Sequence, residues 1–189
     1  LFRSHGDQAE TRAAFAIFVA QTAMCPEAAR TGFPCGECRE CRRLAEGSHP
    51  ELYTLRPEGK AFQIKVGDVS RPEVNTARWF EEQFYLTSTD TAGKKIGIIY
   101  EAERMNDEAQ NAFLKTLEEP PPATLFLLLT GHPEHLLPTT RSRCQLLPVL
   151  ENRTRFDFPG AAELFGLFHQ LFFEAPGRLG LAVTLGDRV

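Results

Sequence analysis

Asn111-Ala112-Phe113-Leu114-Lys115-Thr116-Leu117-Glu118-Glu119-Pro120-Pro121 is the stretch from which the fold of this chain can be read. Ala112, Phe113 and Leu117, with Ala109 upstream, fall at helical spacing and are expected to pack on a sheet, while Lys115, Glu118 and Glu119 face outward. Asp107 is the expected cap, and Pro120 to Pro122 stop the helix because proline offers no N–H and clashes with the preceding turn. Before the helix stand an apolar run, Ile96 to Ile99, and a polar corner, Glu101 to Asp107. After it come a second apolar run, Leu125 to Leu129, and then Thr139-Thr140-Arg141-Ser142-Arg143-Cys144. Strand, helix, strand and an exposed basic turn make the core of a parallel α/β nucleotide-type domain.

The helix ending in Leu117-Glu118-Glu119-Pro120-Pro121 and the turn Ser142-Arg143-Cys144 resemble the clamp-loader branch of the AAA+ ATPases, with Phe113 in place of that family's first leucine. The resemblance covers roughly Leu1 to Gln145. It implies an AAA+ type parallel sheet flanked by helices over residues 1–150, with a metal module inserted within 25–41. It places a helical lid over 151–189, a stretch short for a whole lid and with no room for the collar domain that follows in the family. Leu1-Phe2 reads as the tail of a strand, and the missing initiator Met leads us to expect a few residues before it.

Arg12 to Met24 reads as a helix with a broad apolar face. Ahead of it, an ATPase of this class carries the phosphate loop G-x-x-x-x-G-K-[ST]; the register here gives Ser4, Ala9, Glu10 and Thr11. Ser4 and Ala9 replace the glycines that let backbone N–H groups close around phosphate. Glu10 sets a negative charge where lysine would meet the β- and γ-phosphates. Only Thr11, at the magnesium-binding hydroxyl position, matches. The segment is expected to be a solvated loop that caps the helix, with no ATP held by this chain. Tyr100-Glu101 likewise lacks the family's magnesium-binding aspartate, leaving Glu101 as a cap or surface charge.

Cys25, Cys35, Cys38 and Cys41 follow with spacing C-x9-C-x2-C-x2-C. Four thiolates fill a tetrahedral zinc shell and leave no position for a substrate water, so the expected zinc is structural. Idle cysteines are the alternative, and three cysteines at strict x2 spacing argue against it. The resemblance implies a similar four-cysteine module at this place. Arg39, Arg42 and Arg43 flank it as a solvated face, a protein contact or a DNA contact. His49, before Pro50, reads as a turn residue rather than a fifth ligand.

Leu52 to Leu55 reads as a strand, Phe62, Ile64 and Val66 as a short strand, and Asp68 to Phe84 as a helix with Pro72 in its first turn. Trp79 and Phe80 belong to the core. Thr87 to Gly93 is a loop, Thr130 is structural, and Cys144 is a small packed residue opening the strand Cys144 to Leu150. Beyond it, Glu151 to Phe158 is irregular, Ala161 to Glu174 is a helix, Ala175-Pro176-Gly177 breaks it, and Gly180 to Leu185 forms another short piece. Arg178 stands near the family's sensor 2 arginine.

Arg143, taken alone, reads as a surface arginine paired with an acid. The resemblance implies an arginine finger that reaches ATP on a neighbouring subunit, with Arg141 a weaker second candidate. It implies gamma/tau-type ATPase subunits and the delta subunit of the DNA polymerase III clamp loader as partners, and the sliding clamp and primed DNA through the complex. The chain is then a non-ATPase subunit that keeps the fold and lends Arg143 in trans. Two rivals stand beside it: a divergent AAA+ ATPase with weak nucleotide binding of its own, and a zinc-bearing DNA-binding module. A net charge of −4 over 189 residues counts against the last. The clustered cysteines suit a cytoplasmic metal site better than a disulfide framework, and no apolar run approaches the roughly 18 residues of a membrane span.

Overall fold

The computed structural model describes residues 5–86, 93–148 and 181–186. A five-stranded parallel sheet carries the fold, with β1 Leu52–Leu55, β2 Lys95–Ile99, β3 Thr124–Leu129, β4 Gln145–Pro148 and β5 Leu181–Gly186 in the order β1-β2-β3-β5-β4. Six helices accompany it among the described residues: α1 His5–Met24, α2 Ala28–Thr31, α3 Arg39–Ala45, α4 Ala77–Tyr85, α5 Asp107–Glu118 and α6 Pro138–Arg141.

Every residue of β2 and β3 is buried, as expected of central strands covered on both faces. Alternation divides them between two cores. Ile96, Ile98, Leu125, Leu127 and Leu129 meet Phe15, Ala16, Val19 and Ala20 of α1. Ile99, Phe126 and Leu128 meet Phe80 and Phe84 of α4 and Ala109, Phe113 and Leu117 of α5. Phe84 and Phe113 both set their rings edge-on to Phe126, with centroids 4.6 and 5.1 Å away. Gly97 makes this possible: a Cβ there would lie 2.6 Å from Phe84 Cζ and 2.8 Å from Phe80 Cζ and Phe126 Cδ1. Gly97→Ala therefore overpacks the aromatic cluster. It is expected to cost about 1–3 kcal/mol, read as a fall in melting temperature of roughly 2–4 °C per kcal/mol for a domain of this size. An unchanged melting temperature would contradict this packing.

Several elements differ from the sequence reading. His5–Met24 is helical, so from His5 on, the solvated loop expected over Ser4 to Thr11 forms the first turns of α1, while Ser4 lies outside the described residues. The helix expected from Asp68 starts only at Ala77, where Thr76 Oγ1 accepts the Trp79 N–H. Asp68 instead builds a turn with Ser70 and Arg71, Asn75 is left-handed at φ 63°, and Val69 and Val74 are exposed. Their helical spacing was coincidental. Phe62 to Val66 is tied by isolated bridges, Glu58 to Gln63 and Ile64 to Met105, and not by a strand. The cap of α5 is Asn106, whose Oδ1 accepts the Ala109 N–H at 2.9 Å; Asp107 is the first helical residue. The short piece near Gly180 is β5, which lies between β3 and β4. The expectations for Leu1-Phe2, for 87–92, for 149–180, including the helix Ala161 to Glu174 and Arg178, and with them the lid, lie outside the described residues.

Candidate functional site

Three clusters surround the sheet. The first is the cysteine module. α1 ends at Met24 and delivers Cys25, Cys38 caps α3, and Cys41 sits in the first turn of that helix. Gly32 and Gly36 turn the connecting chain at φ 77° and 76°, a conformation that costs glycine little. The four sulfurs all lie within 4.8 Å of one another. Backbone N–H groups aim at three of them: Cys35 at Cys25 Sγ (3.4 Å), Cys38 at Cys35 Sγ (3.3 Å) and Cys41 at Cys38 Sγ (3.4 Å). The Cys38 and Glu37 N–H groups lower the Cys35 thiol to about 7, whereas burial pushes Cys41 up. A tetrahedron with Zn–S near 2.3 Å has edges of about 3.8 Å, and Cys25 and Cys35 Sγ are 3.7 Å apart. The donor set fits zinc in chemistry and spacing.

His49 has a larger role than the turn residue expected from sequence. Its side chain is 2% exposed. The Glu51 N–H donates to Nδ1 at 3.1 Å, so Nε2 carries the proton and donates to Glu40 at 2.7 Å. His49 thus latches the first turn of α3, between Cys38 and Cys41, to the start of β1. A single histidine before proline carries no sequence signal for this.

The second cluster is a cleft of about 250 Å³ at the carboxyl ends of β1, β2 and β3, lined by Glu10, Arg12, Arg56, Tyr100, Glu101 and Leu129 among others. Open α/β sheets take ligands at this edge. Ala9 and Glu10 reach it as helical residues, and Thr11 continues the helix; past the first turn their N–H groups bond within α1 and are not free to ring a phosphate. Arg56 lies over the Tyr100 ring at 3.4 Å, and the Asn75 amide holds both backbone groups of Arg56 at 2.9 Å. Glu101 stands left-handed ahead of a 3-10 turn and makes no side-chain cap. Arg12 is buried and packs near Gly131. Sequence reasoning missed Arg12 and Arg56, which belong to no motif.

The third cluster joins the two long motifs. α6 leads into Ser142-Arg143-Cys144. The Arg143 Nε donates to Glu118 Oε1 at 2.7 Å, Nη2 donates to the same oxygen, and Nη1 donates to the Thr139 carbonyl at 2.8 Å. Arg143 is 29% exposed, while Arg141 is open to solvent. Gln110, buried in α5, accepts the Leu137 N–H at 2.8 Å and the Thr140 hydroxyl at 3.3 Å, and its Nε2 donates to the Met105 carbonyl. This bracket went unnoticed in the sequence, where Gln110 occupies an unremarked helical position. Thr130 Oγ1 accepts the His132 N–H at 3.0 Å, a structural use of its hydroxyl. Cys144 packs half-buried against the α4–α5 core.

Comparison with known proteins gives a consistent set of matches. A family model described as DNA polymerase III, delta subunit, matches residues 1–152. The DNA polymerase III subunit delta' of Pseudomonas aeruginosa is 40% identical over 121 residues, 64% of this chain and 34% of its own length. That of Bacillus subtilis is 36% identical over 133 residues, 70% of this chain and 36% of its own. The tau/gamma subunit of Haemophilus influenzae is 33% identical over 115 residues, 60% of this chain and 15% of its own. The chain spans about a third of the length of the delta' relatives it matches. A solved DNA polymerase III gamma subunit-related protein of Thermotoga maritima has a TM-score of 0.47 at 24% identity, covering 85% of this chain and 58% of that one.

Proposed function

The chain belongs to the DNA polymerase III delta-prime family, and from that premise we propose that it is a non-ATPase subunit of the cytoplasmic clamp loader that lends Arg143 to ATP bound on a neighbouring subunit. The observation that carries this reading is the mounting of Arg143. Its turn is bracketed to α5 by Gln110, and its guanidinium is oriented by Glu118 and Thr139. A guanidinium stays charged and grips phosphate oxygens through a planar fork, which suits the charge that develops in phosphoryl transfer.

Within the isolated chain Arg143 pairs with an acid, the arrangement expected of a surface arginine. That pair does not preclude the finger. Both partners are partly exposed, 29% and 48%, and such pairs contribute only about 0.2–1 kcal/mol. Exchange of Glu118 for a neighbour's phosphate therefore costs little, and until then Glu118 holds the fork in one orientation.

Cys25, Cys35, Cys38 and Cys41 would hold a structural zinc ion, which cross-links the end of α1 to α3. The AAA+ type domain acts as a rigid wall in the loader ring, with gamma/tau-type ATPase subunits and the delta subunit as partners and the sliding clamp and primed DNA engaged through the complex. Reconstitution tests this: the loader containing the chain should hydrolyse ATP and load clamps, and the chain alone should do neither. A second reading, weak nucleotide binding by the chain itself, is favoured by Arg12 and Arg56 lining the cleft.

A further inference from the structure

The side chains of His132, Glu134 and His135 belong to none of the three clusters. They occupy the 3-10 turn that links β3 to α6. The turn is pinned at three points: the His132 N–H to Thr130 Oγ1 at 3.0 Å, the His135 N–H to the His132 carbonyl at 2.9 Å, and the Leu136 N–H to the Pro133 carbonyl at 3.2 Å. Pro133 and Leu136 are buried beneath it. The three side chains nevertheless stand exposed on its outer side, so their positions are held by the turn while their donor atoms face solvent.

Those donor atoms converge. His132 Nδ1 lies 3.1 Å and His135 Nε2 3.9 Å from the same Glu134 oxygen, Oε1. The two imidazoles are stacked, 5.0 Å between centroids at 21°. Nitrogen and oxygen ligands about 2.0–2.2 Å from a tetrahedral ion stand roughly 3.3 Å from one another. The two contacts to Glu134 Oε1 bracket that spacing, and all three ligand atoms lie within 4.8 Å of one another, close enough for side-chain rotation to bring them onto one ion. We infer that His132, Glu134 and His135 form a second, solvent-open site for a divalent transition-metal ion, separate from the cysteine module. Two imidazoles with one carboxylate select zinc, cobalt, nickel or copper over magnesium and calcium. Water completes the shell. Only Leu136 and Leu137 separate His135 from Pro138 at the start of α6, so an ion here would brace the approach to the Arg143 turn.

The test uses the full chain with its cysteines first saturated with zinc, then titrated with Co2+ by equilibrium dialysis and visible absorption. The expected result is a further equivalent of bound Co2+ with nitrogen/oxygen-type bands and no sulfur-to-cobalt charge-transfer band. H132A and H135A should each weaken that binding by more than about tenfold, and E134Q should weaken it too. Retained zinc in the cysteine module and an unchanged melting temperature would establish that the variants are folded. The inference is overturned if wild type takes up no further equivalent, or if the further equivalent persists in the H132A/H135A double variant. Uptake of Mg2+ in place of Co2+ would overturn the proposed selectivity.

Discussion

Replacing Arg143 with alanine is expected to lower ATP turnover by the reconstituted loader by about 10³-fold at the site it faces, the lower end of what arginine fingers contribute. The effect is large because the guanidinium acts on charge that exists only in the transition state. Stability should hardly move, since the exposed Glu118 pair contributes at most about 1 kcal/mol. This separation of effects distinguishes a finger from a structural arginine, whose loss would lower melting temperature and leave turnover alone. Arg143→Lys should fail to restore activity, because an ammonium cannot reproduce the fork that Glu118 and Thr139 hold in place. Turnover and clamp loading unchanged in the alanine variant would remove the in-trans role.

Loss of metal from the cysteine module is the second large effect. The buried cluster there consists of Cys25, Ala28 and Cys41, with Cys38 packed against it. The cysteines proposed to hold zinc are themselves most of that core. Ordering each residue costs about 1–2 kcal/mol, which three small side chains do not offset. Zinc in comparable peptides supplies about 10–16 kcal/mol at neutral pH, much of it consumed in ordering the chain. Cys38→Ser, or chelation of the wild type, should therefore release the metal and unfold residues 25–47 locally while the sheet persists. We expect a loss of about 3–5 kcal/mol, of the size that follows removal of a covalent or metal cross-link. Hydrogen exchange confined to this segment is the direct readout, and the cysteines of the module, Cys25 and Cys41 buried among them, should become open to alkylation together. Unchanged protection after complete metal removal would show that the module folds without an ion.

The parts of the fold legible in the sequence were those with local, redundant signals. Ile96 to Ile99 and Leu125 to Leu129 are continuous apolar runs, and both are buried on two faces. Ala109, Phe113 and Leu117 share one helical face and one core. The cysteine spacing announced the sulfur cluster. What escaped depends on partners distant in sequence. The place of β5 between β3 and β4 is a long-range parallel pairing that no local pattern encodes. The late start of α4 follows from Gly67, where a Cβ would lie 2.4 Å from Thr76 Oγ1, and from Asn75, which turns to clamp Arg56. His49 and Gln110 hold sites together through backbone groups, and a polar residue's backbone partners leave no trace in its neighbours' identity.

As proposed, this chain lends chemistry to a neighbour's nucleotide and holds none itself. Calorimetric titration of the purified chain with a slowly hydrolysed ATP analogue and magnesium tests it most directly. No saturable heat is expected at millimolar ligand, because Ala9, Glu10 and Thr11 lie on a helix and Glu10 faces the cleft. Saturable binding, abolished by Arg12→Ala or Arg56→Ala, would contradict it and make the cleft a nucleotide site.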